Sequence, residues 1–333
     1  YPNFLKKNLL KKGYTNLIEI KDGETKKFNE LNLTIYKAFC GHIYEESLLG
    51  NLIDSAIVIN EKDITAINFN DNSPDENACI RLKKKFGKID LAMLKYNGAG
   101  PYPSCFNNLE EKEKKHESER VILRKYEHLC KIIPALEAKS VLPFAGSYII
   151  GGNNYFKNKY LGTATVDRCM DYLKKKLDYK TNIFCLNENQ TFDIKNQKCL
   201  QKYIKVDVNK MEKYIQTIKN NKYEYENDEY PCQIKMHKDI MIAKDKLLEA
   251  SKRFNLKIKT SVFIDVAGKK ICLLKGKEEN RIITCSMDNK LLRRILDKKA
   301  HWNNAEIGTH INFYRSPNKM EPDVHTIMNF FHL

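Results

Sequence analysis

The sequence predicts a layered α/β domain over residues 1–200 and an α+β unit over residues 201–333, and two rhythms in the chain predict them. In the first part short apolar runs alternate with helical segments, the order expected when helices pack on a sheet. In the second a helix is followed by three strands with no helix between them. A content of 42% hydrophobic and 30% charged residues fits a folded chain, because far fewer apolar residues could not offset the ordering entropy.

Residues 16–20 read as a strand entering the turn Lys21-Asp22-Gly23-Glu24, and Leu31, Leu33 and Ile35 alternate with polar residues after it. Residues 55–59 and 64–69 are two β-rich runs joined by the charged turn Glu61-Lys62-Asp63. Residues 89–94 are almost continuously apolar, as in a strand covered on both faces. A helix is predicted over residues 107–133, where Val121, Ile122, Tyr126, Leu129, Cys130 and Ile133 recur at helical spacing and Pro134 ends or kinks it. A strand over 140–144, a helix over 163–177 and a strand over 183–186 complete the first unit. Residues 223–231 read as a surface loop.

The second unit opens with a helix over 238–254, carrying Ile240, Ala243, Leu247, Ala250 and Phe254 on one side. Strands over 260–266, 270–274 and 281–286 follow, the first two joined by the hairpin turn Ala267-Gly268-Lys269. Asp288 then caps a helix over 290–296.

Composition removes several classes of function. No run approaches the ~20 apolar residues of a membrane span, and residues 1–12 contain no signal-peptide core, so a cytoplasmic protein is expected. The ten cysteines are scattered with no C-x-x-C pair, unlike a zinc or redox cluster, whose ligands usually come closely spaced. A formal charge of +16 invites a nucleic-acid partner. Only nine of the 58 basic residues are arginine, however, and the lysines are dispersed instead of forming an aromatic-interleaved stripe. Nucleic acid is therefore not the expected partner.

Two constellations stand out as chemistry. His42 and Asp71 each follow a predicted strand, and side chains at strand ends point into the rim where ligands bind. An imidazole and a carboxylate there are half of a first-row metal site, or two turn residues. Near the C-terminus His301, Trp302 and Arg315 bring together an imidazole, the chain's single tryptophan and a guanidinium. These suit an anionic small molecule, with arginine forking onto phosphate or carboxylate and tryptophan stacking. The structural reading, in which Trp302 fills a core and Arg315 makes an ion pair, is the one favoured by the residues alone. The Gly98-Ala99-Gly100 turn is a weak phosphate signal.

Several stretches in combination resemble a known family. They are Asp54-Ser55-Ala56-Ile57-Val58-Ile59, Asn68-Phe69-Asn70-Asp71, and Ile89-Asp90-Leu91-Ala92-Met93-Leu94 leading to Gly98-Ala99 and Tyr102-Pro103. Val141-Leu142-Pro143-Phe144-Ala145-Gly146-Ser147-Tyr148, His301-Trp302-Asn303-Asn304-Ala305-Glu306-Ile307-Gly308 and Arg315-Ser316-Pro317 follow in the same order. Together they resemble the second half of a metallo-β-lactamase fold, in the branch of the CMP-N-acetylneuraminate hydroxylases. The resemblance implies an αββα sandwich, partial in this chain, followed by the α+β unit. It places Asp71 at the fold's metal-bridging aspartate and His42 at its mid-domain histidine. The H-x-H-x-D-H loop that supplies the family's other ligands is nowhere in these residues. The expectation is that about 100 or more residues carrying it precede Tyr1 in the gene.

The function implied is that of a metal-dependent hydrolase-like enzyme with one or two divalent ions, zinc or iron, not fully ligated by this chain alone. Its substrate would be an anionic sugar or nucleotide-sugar in surface-carbohydrate biosynthesis. Bound ions of this kind lower the pKa of water and polarise ester, amide or phosphoryl oxygens. The alternatives are a metal-free binding or scaffold protein on the same fold, and a basic nucleic-acid-binding protein or nuclease.

Overall fold

One mixed sheet organises the first part of the chain. The computed structural model describes residues 2–37, 39, 55–177 and 181–333. Helix α1 (Pro2–Lys11) leads to strands β1 (Thr25–Phe28), β2 (Leu31–Lys37), β3 (Ser55–Glu61) and β4 (Ile64–Asn68), a run of antiparallel neighbours. From β4 onward the pairing is parallel, through β5 (Leu91–Lys95), β6 (Ser140–Phe144) and β7 (Asn182–Ile183). The seven strands lie in sequence order. Parallel neighbours need crossovers, and these are α2 (Glu76–Phe86), α3 (Glu111–Leu136) and α4 (Val166–Lys176).

Strand alternation assigns the two faces. Ala56, Val58, Ile67, Ala92, Leu94 and Val141 share the face on which Tyr126, Leu129 and Ile133 of α3 pack, together with Cys79 and Leu82 of α2. The other face is covered at one end by β8 (Phe192–Asp193) and β9 (Lys198–Cys199), where Phe192 stacks on Phe184 at 3.9 Å. Met93 and Leu142 pack in the hairpin's cluster, and beyond it Leu33, Ile35, Ile57, Ile59 and Phe144 form a half-exposed apolar band.

After α5 (Val208–Ile218), the long helix α6 (Gln233–Arg253) buries Met236, Ile240, Ala243, Leu247 and Ala250, one stripe at alternating steps of four and three. The stripe covers a sheet ordered β11-β10-β12-β13, built from β10 (Ser261–Val266), β11 (Lys269–Leu274), β12 (Ile282–Ser286) and β13 (Asn312–Ser316). Helices α7 (Asn289–Leu296), α8 (Trp302–Ile307) and α9 (Pro322–Ile327) close it. Asp288 caps α7 as expected, its carboxylate accepting from the Lys290 N–H at 2.7 Å.

Several elements differ from the sequence reading. Residues 16–20 form no strand, and 223–231 include a short 3-10 turn, Glu224–Asn227. Helix α3 continues through Pro134 to Leu136; so near the end, proline forfeits a single hydrogen bond and the helix tolerates it. Helix α6 starts earlier, and the strand expected at 183–186 stops at Ile183. No helix among the described residues is long and apolar enough to cross a membrane.

Segment 101–109, just before α3, leaves the first sheet and joins the second unit's core. Phe106 bridges to Phe313 of β13 and stacks on it at 5.1 Å. The Phe313 N–H donates to the Cys105 carbonyl at 2.8 Å, and the Asn107 N–H donates to the Phe313 carbonyl at 2.7 Å. Cys105 and Phe106 are buried in the same cluster as Trp302 and Ile264.

Candidate functional site

Asp71 lies in the loop after β4, past Asn70, which holds φ +52°. Its side chain is exposed, and its carbonyl accepts the ammonium of Lys95 from the end of β5. His42 lies outside the described residues. Among those residues no group of three or more His, Cys, Asp or Glu side chains is placed to hold a metal. One exposed carboxylate, with an ammonium beside its own backbone, does not by itself complete the metal centre that the resemblance implies, since catalytic zinc sites use about three protein ligands.

The three C-terminal candidates separate in space. Arg315 enters an inter-unit pocket, Trp302 sits in the core behind it, and His301 is exposed at the start of α8. Trp302 is 2% exposed, so its indole has no free face for a base or sugar. Its Nε1–H instead donates to Glu306 at 3.1 Å.

The pocket, of about 220 Å³, opens between the 98–102 turn and α3 on one side and the β13–α9 region on the other. Strand pairing with β12 puts Ile283 opposite Arg315 and fixes its backbone, whose N–H donates to Asn108 at 3.0 Å. The guanidinium lies 4.5 Å from the Phe106 ring and 5.2 Å from that of Tyr102, beside an edge-to-face aromatic pair whose centroids are 4.9 Å apart and which the inserted segment supplies. It is 7% exposed, and among the described residues its side chain donates to a neutral amide, Asn318, at 2.7 Å. Its Nε–H is buried with no hydrogen-bond acceptor. Burial brings its pKa down to about 10, so it remains a cation at neutral pH.

Helix α3 supplies Arg120, Arg124 and Lys125 to the same pocket. Arg120 is neutralised by Glu117, whose carboxyl it holds below the usual range, and Glu117 also accepts from the Tyr102 hydroxyl at 2.5 Å. Lys125 donates to the carbonyls of Gly162 at 3.0 Å and Gly98 at 3.3 Å. Gly162 allows α3 to approach this closely, because a Cβ there would lie 2.7 Å from a Val121 methyl. Desolvation, followed by repulsion from Lys95 and Arg124, pulls Lys125 from its ordinary value near 10.5 to about 7.

That shift sets a pH dependence. Between about pH 7 and 10.5 the unfolded chain holds a proton that the folded lysine has released, so stability rises with pH across this window. The side chain is only half-buried, which with solvent screening limits the effect to about 2 kcal/mol. Lys125→Met should flatten the stability–pH curve measured by urea unfolding from pH 6 to 10. An unchanged slope would refute the shift.

No protein-family model matches the chain, and no curated protein matches it. Solved structures do. CmlA, a diiron β-hydroxylase from Streptomyces venezuelae, shares 13% identity at a TM-score of 0.34, over 53% of this chain and 34% of that one. The metallo-β-lactamase-fold protein YhfI from Bacillus subtilis shares 12% at 0.30, over 54% and 58%. An isothiocyanate hydrolase from Delia radicum gut bacteria shares 14% at 0.31, over 55% and 61%. The chain thus spans about a third of the hydroxylase's length and about three fifths of the other two. The chain is a mixed α/β protein similar in part to these structures, and the activities they are named for belong to them.

Sequence reasoning reached Arg315 but missed Lys125, Glu306 and His325. The basic pair Arg120 and Arg124, one helical turn apart and downstream of Gly98-Ala99-Gly100, was the available signal.

Proposed function

We propose that this chain is part of a metal-dependent hydrolase-like enzyme of the metallo-β-lactamase superfamily, and that its inter-unit pocket binds an anionic small molecule. The observation that carries the ligand class is Arg315. It is a buried guanidinium with an unmet N–H, which is costly to keep unless an anion completes it. An anionic sugar or nucleotide-sugar of surface-carbohydrate biosynthesis is the substrate class suggested by the sequence resemblance. Drug-sized ligands occupy pockets of roughly 300–1,000 Å³, so 220 Å³ suits a monosaccharide-sized acid or the charged portion of a larger ligand. The half-exposed apolar band on the first sheet is where a second layer of a sandwich would pack. Zinc or iron, one or two ions, enters this reading through the resemblance at Asp71 and His42, and no chemical step is assigned to it here. A cytoplasmic setting belongs to the same proposal.

Calorimetric titration at physiological salt tests the ligand class, using inorganic phosphate, a nucleoside monophosphate, a sugar acid and a neutral hexose. The anions should bind with Kd of about 1 mM or tighter, corresponding to about −4 kcal/mol, and the neutral hexose should not. Binding confined to long polyanions, fading steeply with salt, would replace this reading with a nucleic-acid one.

A further inference from the structure

Two short helices bring an imidazole and a carboxylate together at the wall of this pocket. Glu306 of α8 and His325 of α9 are 3% and 8% exposed, and both line it. Nδ1 of His325 lies 2.5 Å from Oε1 of Glu306, while Oε2 accepts from the Trp302 indole at 3.1 Å. Each carboxylate oxygen therefore has a fixed partner. An ionised carboxylate can only accept, so the imidazole's proton belongs on Nδ1 and the lone pair on Nε2. Among the described residues Nε2 makes no hydrogen bond, and it is not sealed from solvent. His128, by contrast, has its Nε2 sealed in the protein.

We propose that His325, oriented by Glu306, is the proton acceptor of the inter-unit pocket. The proposal rests on the reading that the pocket takes an anion. Arg315 and Lys125 would hold the charged group, leaving a neighbouring hydroxyl of the ligand, or a water beside it, within reach of Nε2. The proton of that O–H passes to Nε2, its bonding electrons stay on oxygen, and the imidazolium formed faces the Glu306 carboxylate. This is the carboxylate–imidazole arrangement of general base catalysis. The charged side chains around it are Glu306 on α8, Arg315 on β13, and Arg120, Arg124 and Lys125 on α3.

Diethyl pyrocarbonate, which acylates an accessible imidazole lone pair, tests this, with the modified residue located by mass spectrometry. His325 should react faster than His128. Inorganic phosphate at about ten times its Kd should slow the reaction at His325 roughly tenfold, as occupancy requires. Glu306→Gln should slow it as well, while Glu306→Asp restores part of the rate. The protection measurement uses the unaltered protein and so stands even if a variant fails to fold. An unreactive His325, or one unprotected while calorimetry shows phosphate bound, overturns the proton acceptor and leaves the pocket intact. Failure of phosphate and the other anions to bind overturns the pocket reading, and the proposal with it.

Discussion

Arg315→Met should weaken anion binding in the pocket by roughly ten- to a hundredfold while leaving the protein as stable as before, or more so. The guanidinium is 7% exposed, with only the Asn318 amide and two aromatic faces for company. Methionine has similar length and needs no hydrogen bonds. Removing an unpaired buried charge relieves several kcal/mol of desolvation, against about 1–2 kcal/mol lost in the cation–π contacts. The net expectation is stabilisation by about 1–2 kcal/mol. A charge-assisted hydrogen bond to a ligand contributes about 1.5–3 kcal/mol, so affinity for phosphate should fall by roughly ten- to a hundredfold. Urea unfolding and calorimetry on the same preparations read both. Destabilisation with unchanged affinity would show that Arg315 is a structural residue.

Trp302→Ala should cost about 3–5 kcal/mol, as expected for truncating a large buried aromatic side chain. Trp302→Phe separates the two roles of the indole. It retains much of the packing, including an edge contact with Phe331 at 5.9 Å, but removes the donor to Glu306. A buried carboxylate that loses a partner costs about 1–3 kcal/mol, so the phenylalanine variant should fall between wild type and alanine by thermal or urea unfolding. Full stability for both variants would contradict the core placement.

The parts of this structure legible in the sequence are those with one strong period. The stripe on α6 and the buried runs of β5 and β10 each expose a single repeated rule. Helix α2 was missed because only Ala78, Cys79 and Leu82 are buried on it, too narrow a stripe to register. Strand β13 was missed because its inward positions are Phe313 and Arg315; an arginine on the core side breaks the apolar alternation that marks a strand. The same arginine explains why the pocket was only half visible. Its partners come from positions 98–125, some 200 residues earlier, and no local spacing encodes that meeting. For Trp302 both a core and a ligand-stacking role stood open, because sequence shows chemistry and hides depth; at 2% exposure it is core.

The inserted segment around Phe106 carries a consequence for how this protein could have diversified. Cys105 and Phe106 precede α3 in the chain, yet they pack in the same cluster as Trp302 and Phe313. Arg315 stands on β13 and lies against the rings of Tyr102 and Phe106, some 200 residues earlier in the chain. Exchanging the stretch around Phe106 without the stretch around Phe313 would therefore mismatch the two rings and strip Arg315 of its aromatic contacts. The pocket is a property of both stretches together, and recombination would preserve it only where the two travel together.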